Sequence, residues 1–153
     1  MKKSDREPVA DILRRTDMFT LEEIHVAEEI VDIYLYQPDQ KDYHVLIVEN
    51  SNRKVAGFMI YGPTPMTEGT FDLYWIGVTP EDQGHGYGKE MVCWLENKVQ
   101  RAKGRMIVIE TSSQTRYEPT RQFYLRNGYR EIARIPGFYR PGDDRIIYTK
   151  NYF

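Results

Sequence analysis

The sequence has a single cysteine, Cys93, so no disulfide can close within the chain. Its three histidines, His25, His44 and His85, are scattered and make no metal-ligand spacing, so no metal is expected. No apolar run approaches the roughly 20 residues of a membrane-spanning helix. The opening Met1-Lys2-Lys3-Ser4-Asp5-Arg6-Glu7 has no apolar signal-peptide core. A cytoplasmic protein with no membrane partner is the expectation. A basic excess is also missing. Lysine plus arginine number 21 against 23 acids, for a net charge of −2 and a pI near 5.9. That argues against a nucleic-acid partner, which favours a basic face. Repeats, linkers and low-complexity stretches are absent, so residues 1–153 read as one domain.

What is present is an ordinary globular composition, 41% hydrophobic and 29% charged. Pro8 suits the first turn of a helix over Glu7–Arg15. Thr20-x-x-Glu23 is a capping box and predicts a helix from Leu21 to Tyr36, stopped before Pro38. Leu21, Ile24, Ala27, Val31 and Tyr34 form its apolar stripe, widened by Val26, Ile30 and Ile33. Glu22, Glu23, Glu28, Glu29 and Asp32 crowd the remaining face, as a solvated surface or as an acidic wall for a cationic amine.

Tyr43–Glu49 and Lys54–Tyr61 read as a hairpin around Asn50-Ser51-Asn52. Gly62-Pro63-Thr64-Pro65 breaks it. Phe71–Val78 reads as a strand with Asp72, Tyr74, Ile76 and Val78 on one face. A helix over Glu90–Arg101 buries Met91, Val92, Leu95 and Val99, with Cys93 packed beside them. Met106–Glu110 is a short apolar run closing on an acid, a buried parallel strand. Phe71–Glu110 is thus a strand–helix–strand crossover. Pro119 opens a helix over Thr120–Arg126 that Asn127-Gly128 ends. Strands follow at Tyr129–Ile135 and Arg145–Lys150, with Pro136–Asp144 as a loop between them.

The centre of the chain is Gln83-Gly84-His85-Gly86-Tyr87-Gly88-Lys89, between the strand Phe71–Val78 and the helix after it. That order leaves unpaired amides at a helix N-terminus, with the positive end of the helix dipole behind them. The glycines permit close approach, so a phosphate or pyrophosphate is the natural guest. A P-loop is excluded because Gly88-Lys89 is followed by Glu90. The dinucleotide fingerprint is excluded because position 89 is lysine, not glycine.

The spacing that fits is Gln83-x-x-Gly86-x-Gly88, which resembles the pyrophosphate loop of the GNAT superfamily of N-acetyltransferases. The approach Ile76-Gly77-Val78-Thr79-Pro80 is similar to that family's, and so is Phe123-Tyr124-Leu125-Arg126-Asn127-Gly128-Tyr129. The resemblance covers roughly Tyr43 to the end. It implies an α/β (α+β) fold: a mixed, largely antiparallel sheet with a central parallel strand–helix–strand crossover and helices on both faces. It further implies transfer of an acetyl group from acetyl-CoA to a primary amine of a small molecule, peptide or protein. Ile76, Gly77 and Val78 would pair with the pantetheine arm, and Gln83, Gly84, His85, Gly86, Tyr87, Gly88 and Lys89 would hold the pyrophosphate. Tyr124 would protonate the departing sulfur. Asp72 or Glu110 would take the proton of the amine. Asp72 is preferred on strand parity, four residues before Ile76. Tyr61, Tyr117, Phe138 and Tyr139 are expected around the acceptor. A non-catalytic acyl-CoA-binding regulatory module is the alternative, and a homodimer is compatible with either. The chain departs from the family in one respect: a charged opening and Pro8 stand where a first strand usually does.

Overall fold

The structure, a computed structural model, describes residues 1–152. In chain order the helices are α1 (Arg6–Arg15), α2 (Leu21–Tyr36), α3 (Tyr87–Arg101) and α4 (Glu118–Arg126). The strands are β1 (His44–Glu49), β2 (Val55–Pro63), β3 (Thr70–Val78), β4 (Met106–Ser112), β5 (Arg130–Arg140) and β6 (Asp143–Asn151). They form one six-stranded sheet in the order β1-β2-β3-β4-β6-β5. β3 and β4 run parallel across the α3 crossover, while β1/β2, β4/β6 and β6/β5 are antiparallel. No strand precedes α1 among the described residues. The chain divides into two compact units: Met1–Pro63 with Tyr74–Leu95, and Thr64–Leu73 with the chain from Glu96.

In the first unit, α2 starts where its capping box dictates. Glu23 N–H donates to the Thr20 hydroxyl at 3.2 Å, and Thr20 N–H donates to the Glu23 carboxylate at 2.7 Å. The buried arc of α2 is Ile24, Ala27, Ile30 and Val31. Leu21 and Val26 do not join it, being 75% and 45% exposed. Val26 lies about 100° round the helix from Ala27, and Leu21 sits in the solvent-facing first turn. The arc packs with Val9, Ile12 and Leu13 of α1 onto Val45, Phe58 and Ile60 of the hairpin. Arg6 holds Asp32 at 2.6 and 2.8 Å, and Arg14 holds Glu28 at 2.7 Å. Two acids of the predicted wall are therefore spent on α1. On the opposite face of β2, Gly57 faces Met91 and Tyr61 meets the edge of Trp94, both on α3. Helices thus cover both faces of this unit's strands. Cys93 is exposed on α3.

The alternation read for β3 fails inside this unit. Tyr74 and Trp75, consecutive residues, both pack against the α1–α2 core. Gly77 faces the same way, since a Cβ there would lie 2.9 Å from the Phe58 ring and 3.1 Å from Ile12. Two neighbouring side chains on one face is what a β-bulge produces. Tyr74 therefore parts from Ile76 and Val78.

In the second unit, β4 is not buried on both faces. Ile107, Ile109 and Thr111 are buried, while Met106, Val108 and Ser112 are half-buried and Glu110 is exposed. The predicted loop 136–144 is instead strand. β5 and β6 continue as a ribbon to a turn at Pro141-Gly142. Proline at the first corner and a glycine at φ +81 at the second meet the needs of a type II turn. Pro136 is tolerated because β5 is the edge of the sheet, where a missing N–H breaks no ladder. The β5–β6 register slips between Ile135 and Arg140, and Gly137 has φ +60 there.

The packing at Gly77 makes a direct prediction. Gly77→Val drives a branched side chain into the fully buried Phe58. It should lower unfolding stability by about 1–3 kcal/mol. Urea titration should show a lower midpoint at unchanged slope, and an unchanged midpoint would contradict the packing described.

Candidate active site

The expected cofactor-binding residues all lie in the first unit. Ile76, Gly77 and Val78 end β3, and the ladder between β3 and β4 stops before them, at Leu73↔Ile109. The chain leaves β3 through a short turn, Pro80–Asp82, which is pinned from several directions. Thr79 N–H donates to Ala56 O at 2.7 Å. The Asp82 carboxylate accepts from the Thr79 hydroxyl at 2.9 Å and from the Asn50 side-chain amide at 3.2 Å. Glu81 pairs with Arg15. Gln83 folds back to donate to Val78 O at 3.3 Å.

Beyond these anchors the glycines take over. Gly84 and Gly86 have φ +80 and +91, and a Cβ on either would meet nothing within 4 Å. They are glycine for their backbone conformation, and they leave open space in front of the loop. Glu90 N–H donates to Gly86 O at 2.9 Å, the first bond of α3. The helix starts at Tyr87, a turn earlier than read from sequence, because the glycines end their turn at Gly86. Tyr87, Gly88 and Lys89 thus lie in its first turn, where amides have no intrahelical acceptor. Open space, φ-positive glycines and first-turn amides are the features of an anion cradle. They fit a pyrophosphate.

The expected catalytic residues lie in the second unit, on two faces of its strands. Asp72 is the register partner of Val108, and Glu110 follows Val108 by two residues, so both carboxylates stand on one face. Strand spacing and rise put their Cα atoms about 8 Å apart. The Asp72 carboxylate accepts from the Thr64 hydroxyl at 2.7 Å. Glu110 is ion-paired with Arg145, and its side chain is 39% exposed.

Tyr124 lies on the other face. Its ring packs against Tyr148, 6.1 Å between centroids, and Tyr148 is the register partner of Ile109. Tyr129 lies 6.0 Å away on another side. Burial raises the Tyr124 phenol well above its ordinary range, so it holds its proton throughout physiological pH. Tyr61, also buried, is pushed up to about 12 first by desolvation and then by Tyr34. Of the residues expected around the acceptor, Tyr61 and Tyr117 are buried, and Phe138 and Tyr139 are each 48% exposed on the ribbon.

The sequence reading missed the residues that hold these elements. Arg121, 8% exposed, donates to Ser112 O at 2.7 Å and Gln114 O at 2.9 Å, and pairs with Glu118. It ties α4, and with it Tyr124, to the end of β4. Asp143, 3% exposed, accepts from the Ser112 hydroxyl and the Gln114 amide, with Arg140 3.7 Å away. The only local signal was Glu118 three residues before Arg121. The other partners lie up to 31 residues away.

The fold and the loop define an acyltransferase of the GNAT type, and the comparisons bear this out. The Acetyltransferase (GNAT) domain family matches residues 41–131, and the chain belongs to that family. A crystal structure from Desulfovibrio desulfuricans, assigned to the GNAT acetyltransferases, is 41% identical, covering 97% of this chain and 93% of that one at a TM-score of 0.91. An aminoglycoside 6'-N-acetyltransferase complexed with coenzyme A shares the fold at 16% identity and TM-score 0.75, covering 98% and 92% of the two chains. The ribosomal-protein-S18-alanine N-acetyltransferase of Escherichia coli shares it at 16% identity and TM-score 0.76, covering 99% and 90%. No curated protein sequence matches the chain. Among the described residues no helix is long and apolar enough to cross a membrane, and no cluster of three or more His, Cys, Asp or Glu suits a metal ion.

Asp143 gives the site a pH signature. Burial alone would raise its carboxyl, but the bonds from Ser112 and Gln114 and the charge of Arg140 outweigh it and hold the carboxyl below its usual range. A depressed folded value contributes stability above the unfolded value of about 3.9, lost as pH falls through the folded one. Asp143→Asn should therefore cost stability at pH 7, and the gap to the parent should narrow below about pH 4. Urea unfolding at both pH values checks this, and a constant gap would refute it.

Proposed function

We propose that the whole chain is one acetyltransferase domain that moves the acetyl group of acetyl-CoA to a primary amine by direct attack. Membership of the GNAT family supports the reaction class. The observation that carries the donor is the cradle: φ-positive Gly84 and Gly86 in open space, running into the first turn of α3. In this reading Gln83, Gly84, His85, Gly86, Tyr87, Gly88 and Lys89 hold the pyrophosphate, chiefly through backbone amides. The ends of β3, Ile76 to Val78, lie past the last β3–β4 pair and offer backbone to the pantetheine as an added strand would. A lone cysteine suits a reducing cytoplasm.

Acetyl-CoA supplies the acetyl group as a thioester. The amine nitrogen bonds the carbonyl carbon, the carbon–sulfur bond breaks, the amine loses a proton and the thiolate gains one. Tyr124, kept protonated by burial, is the acid. The base is assigned to Asp72, hydrogen-bonded by the neutral hydroxyl of Thr64. Glu110 would first have to give up its ion pair with Arg145. The parity argument for Asp72 no longer stands, because its step from Tyr74 to Ile76 is broken by the irregularity at Tyr74–Trp75.

The test is thiol release from acetyl-CoA by the purified protein with a panel of amines. Tyr124→Phe should lower turnover at saturating substrates about 10²-fold or more while acetyl-CoA binding stays near the parent's. Parent-like turnover in that variant would make Tyr124 a packing residue. Coenzyme A binding with no amine-stimulated release would favour the regulatory module.

A further inference from the structure

Arg145 is the cation paired with Glu110 on the face that also carries Asp72; Arg130, opposite Thr149, and Arg140, opposite Asp143, share that face. β6 sets it opposite Ser112, so its side chain shares the face of Glu110, and of Asp72 through the β3–β4 register. One terminal nitrogen of its guanidinium pairs with Glu110. Its planar face lies 4.7 Å from the centre of the Phe138 ring. Its Nε is buried and has no hydrogen-bond partner, while a quarter of the side chain, 25%, remains exposed. A guanidinium has five donors in a fixed fork. One ion pair to Glu110 leaves most of that fork unspent. Phe138, its ring nearly perpendicular to that of Tyr139 at 5.0 Å between centroids, covers it as a half-exposed apolar wall.

Asp72, Glu110 and the partly used fork of Arg145 on a single face read as a pattern for a ligand. A simple amine would use the acids and be repelled by Arg145. A molecule with a cationic amine and a carboxylate matches both signs, and the fork fits a carboxylate bidentately. We propose that the acetyl acceptor is a small zwitterionic amine of the amino-acid type, and that Arg145 receives its carboxylate. Phe138 holds the guanidinium plane by a cation–π contact, and Glu110 fixes one of its edges. Arg145 is thus a specificity-determining residue. This rests on the acetyl-transfer reading above and names its acceptor class.

The experiment pairs each common amino acid with its own carboxamide as acceptor, at fixed acetyl-CoA, and follows thiol release. The acid should exceed its amide in kcat/KM by about 10- to 100-fold, mostly through KM, the range expected of a charge-assisted contact. In Arg145→Gln that ratio should collapse towards one, and Arg145→Lys should restore part of it. Coenzyme A affinity by calorimetry checks that each variant is folded. Should Arg145→Gln fail to fold, the ratio in Arg145→Lys and in the parent decides. Equal use of acid and amide by the parent would overturn the proposal, as would a preference that survives in Arg145→Gln. If no amine of either kind releases thiol while coenzyme A binds, the acetyl-transfer reading itself has failed, and this inference with it.

Discussion

An α-helix cannot pair the amides of its own first turn, and the account of this protein depends on where α3 leaves them. The chain comes off β3 and must enter α3 at Tyr87. Gly84 and Gly86 make the turn in a backbone conformation that residues with a Cβ adopt only with strain. The segment before them cannot drift, because Thr79, Glu81, Asp82 and Gln83 are each tied to neighbouring elements. The result is a rigid approach, an open loop and a row of unspent donors. No part of that arrangement stabilises the fold by itself, which is why an anionic ligand is the economical explanation for it.

The second unit works by the opposite device, buried polar groups bonded to one another. The end of β4 is held by Arg121 from α4 and by Asp143 from β6. Removing Arg121 would leave the Ser112 and Gln114 carbonyls without its donors, and removing Asp143 would leave the Ser112 hydroxyl and the Gln114 side-chain amide without their acceptor, which is costly in a low-dielectric interior. This fixes α4 and so the position of Tyr124. Arg145, two residues beyond Asp143 on β6, uses its fork only partly. Groups left incomplete amid well-satisfied neighbours are where ligand recognition is to be sought.

Much of this was legible in the sequence because it is local. The capping box at Thr20, the stripe on α3, the glycine spacing and the Tyr124 segment all lie within a few residues of one another, where periods of 3.6 and 2 operate. The rest depends on residues far apart in the chain. Nothing near Tyr74 and Trp75 announces that both will face α1 and α2, so the parity of β3 was misread. Pro136, Gly137 and Gly142 look like a loop until β5 is seen to be an edge strand, where proline breaks no ladder. Arg145 finds Glu110 across 35 positions of chain, a pairing that only the register of β6 on β4 sets up. Leu21 and Val26 are apolar and exposed, a reminder that apolar residues on a helix mark its core arc only in aggregate.

The central claim is that the amides from Gly84 to Lys89 take the pyrophosphate of coenzyme A. Amide-detected NMR on isotopically labelled protein, titrated with coenzyme A and separately with pantetheine, tests it most directly. The account predicts that coenzyme A shifts the amides of Gly84, Gly86, Gly88 and Lys89 strongly, and that pantetheine, which lacks the pyrophosphate, leaves them nearly unmoved. Equal shifts with both ligands, or coenzyme A binding that leaves those amides where they were, would contradict it.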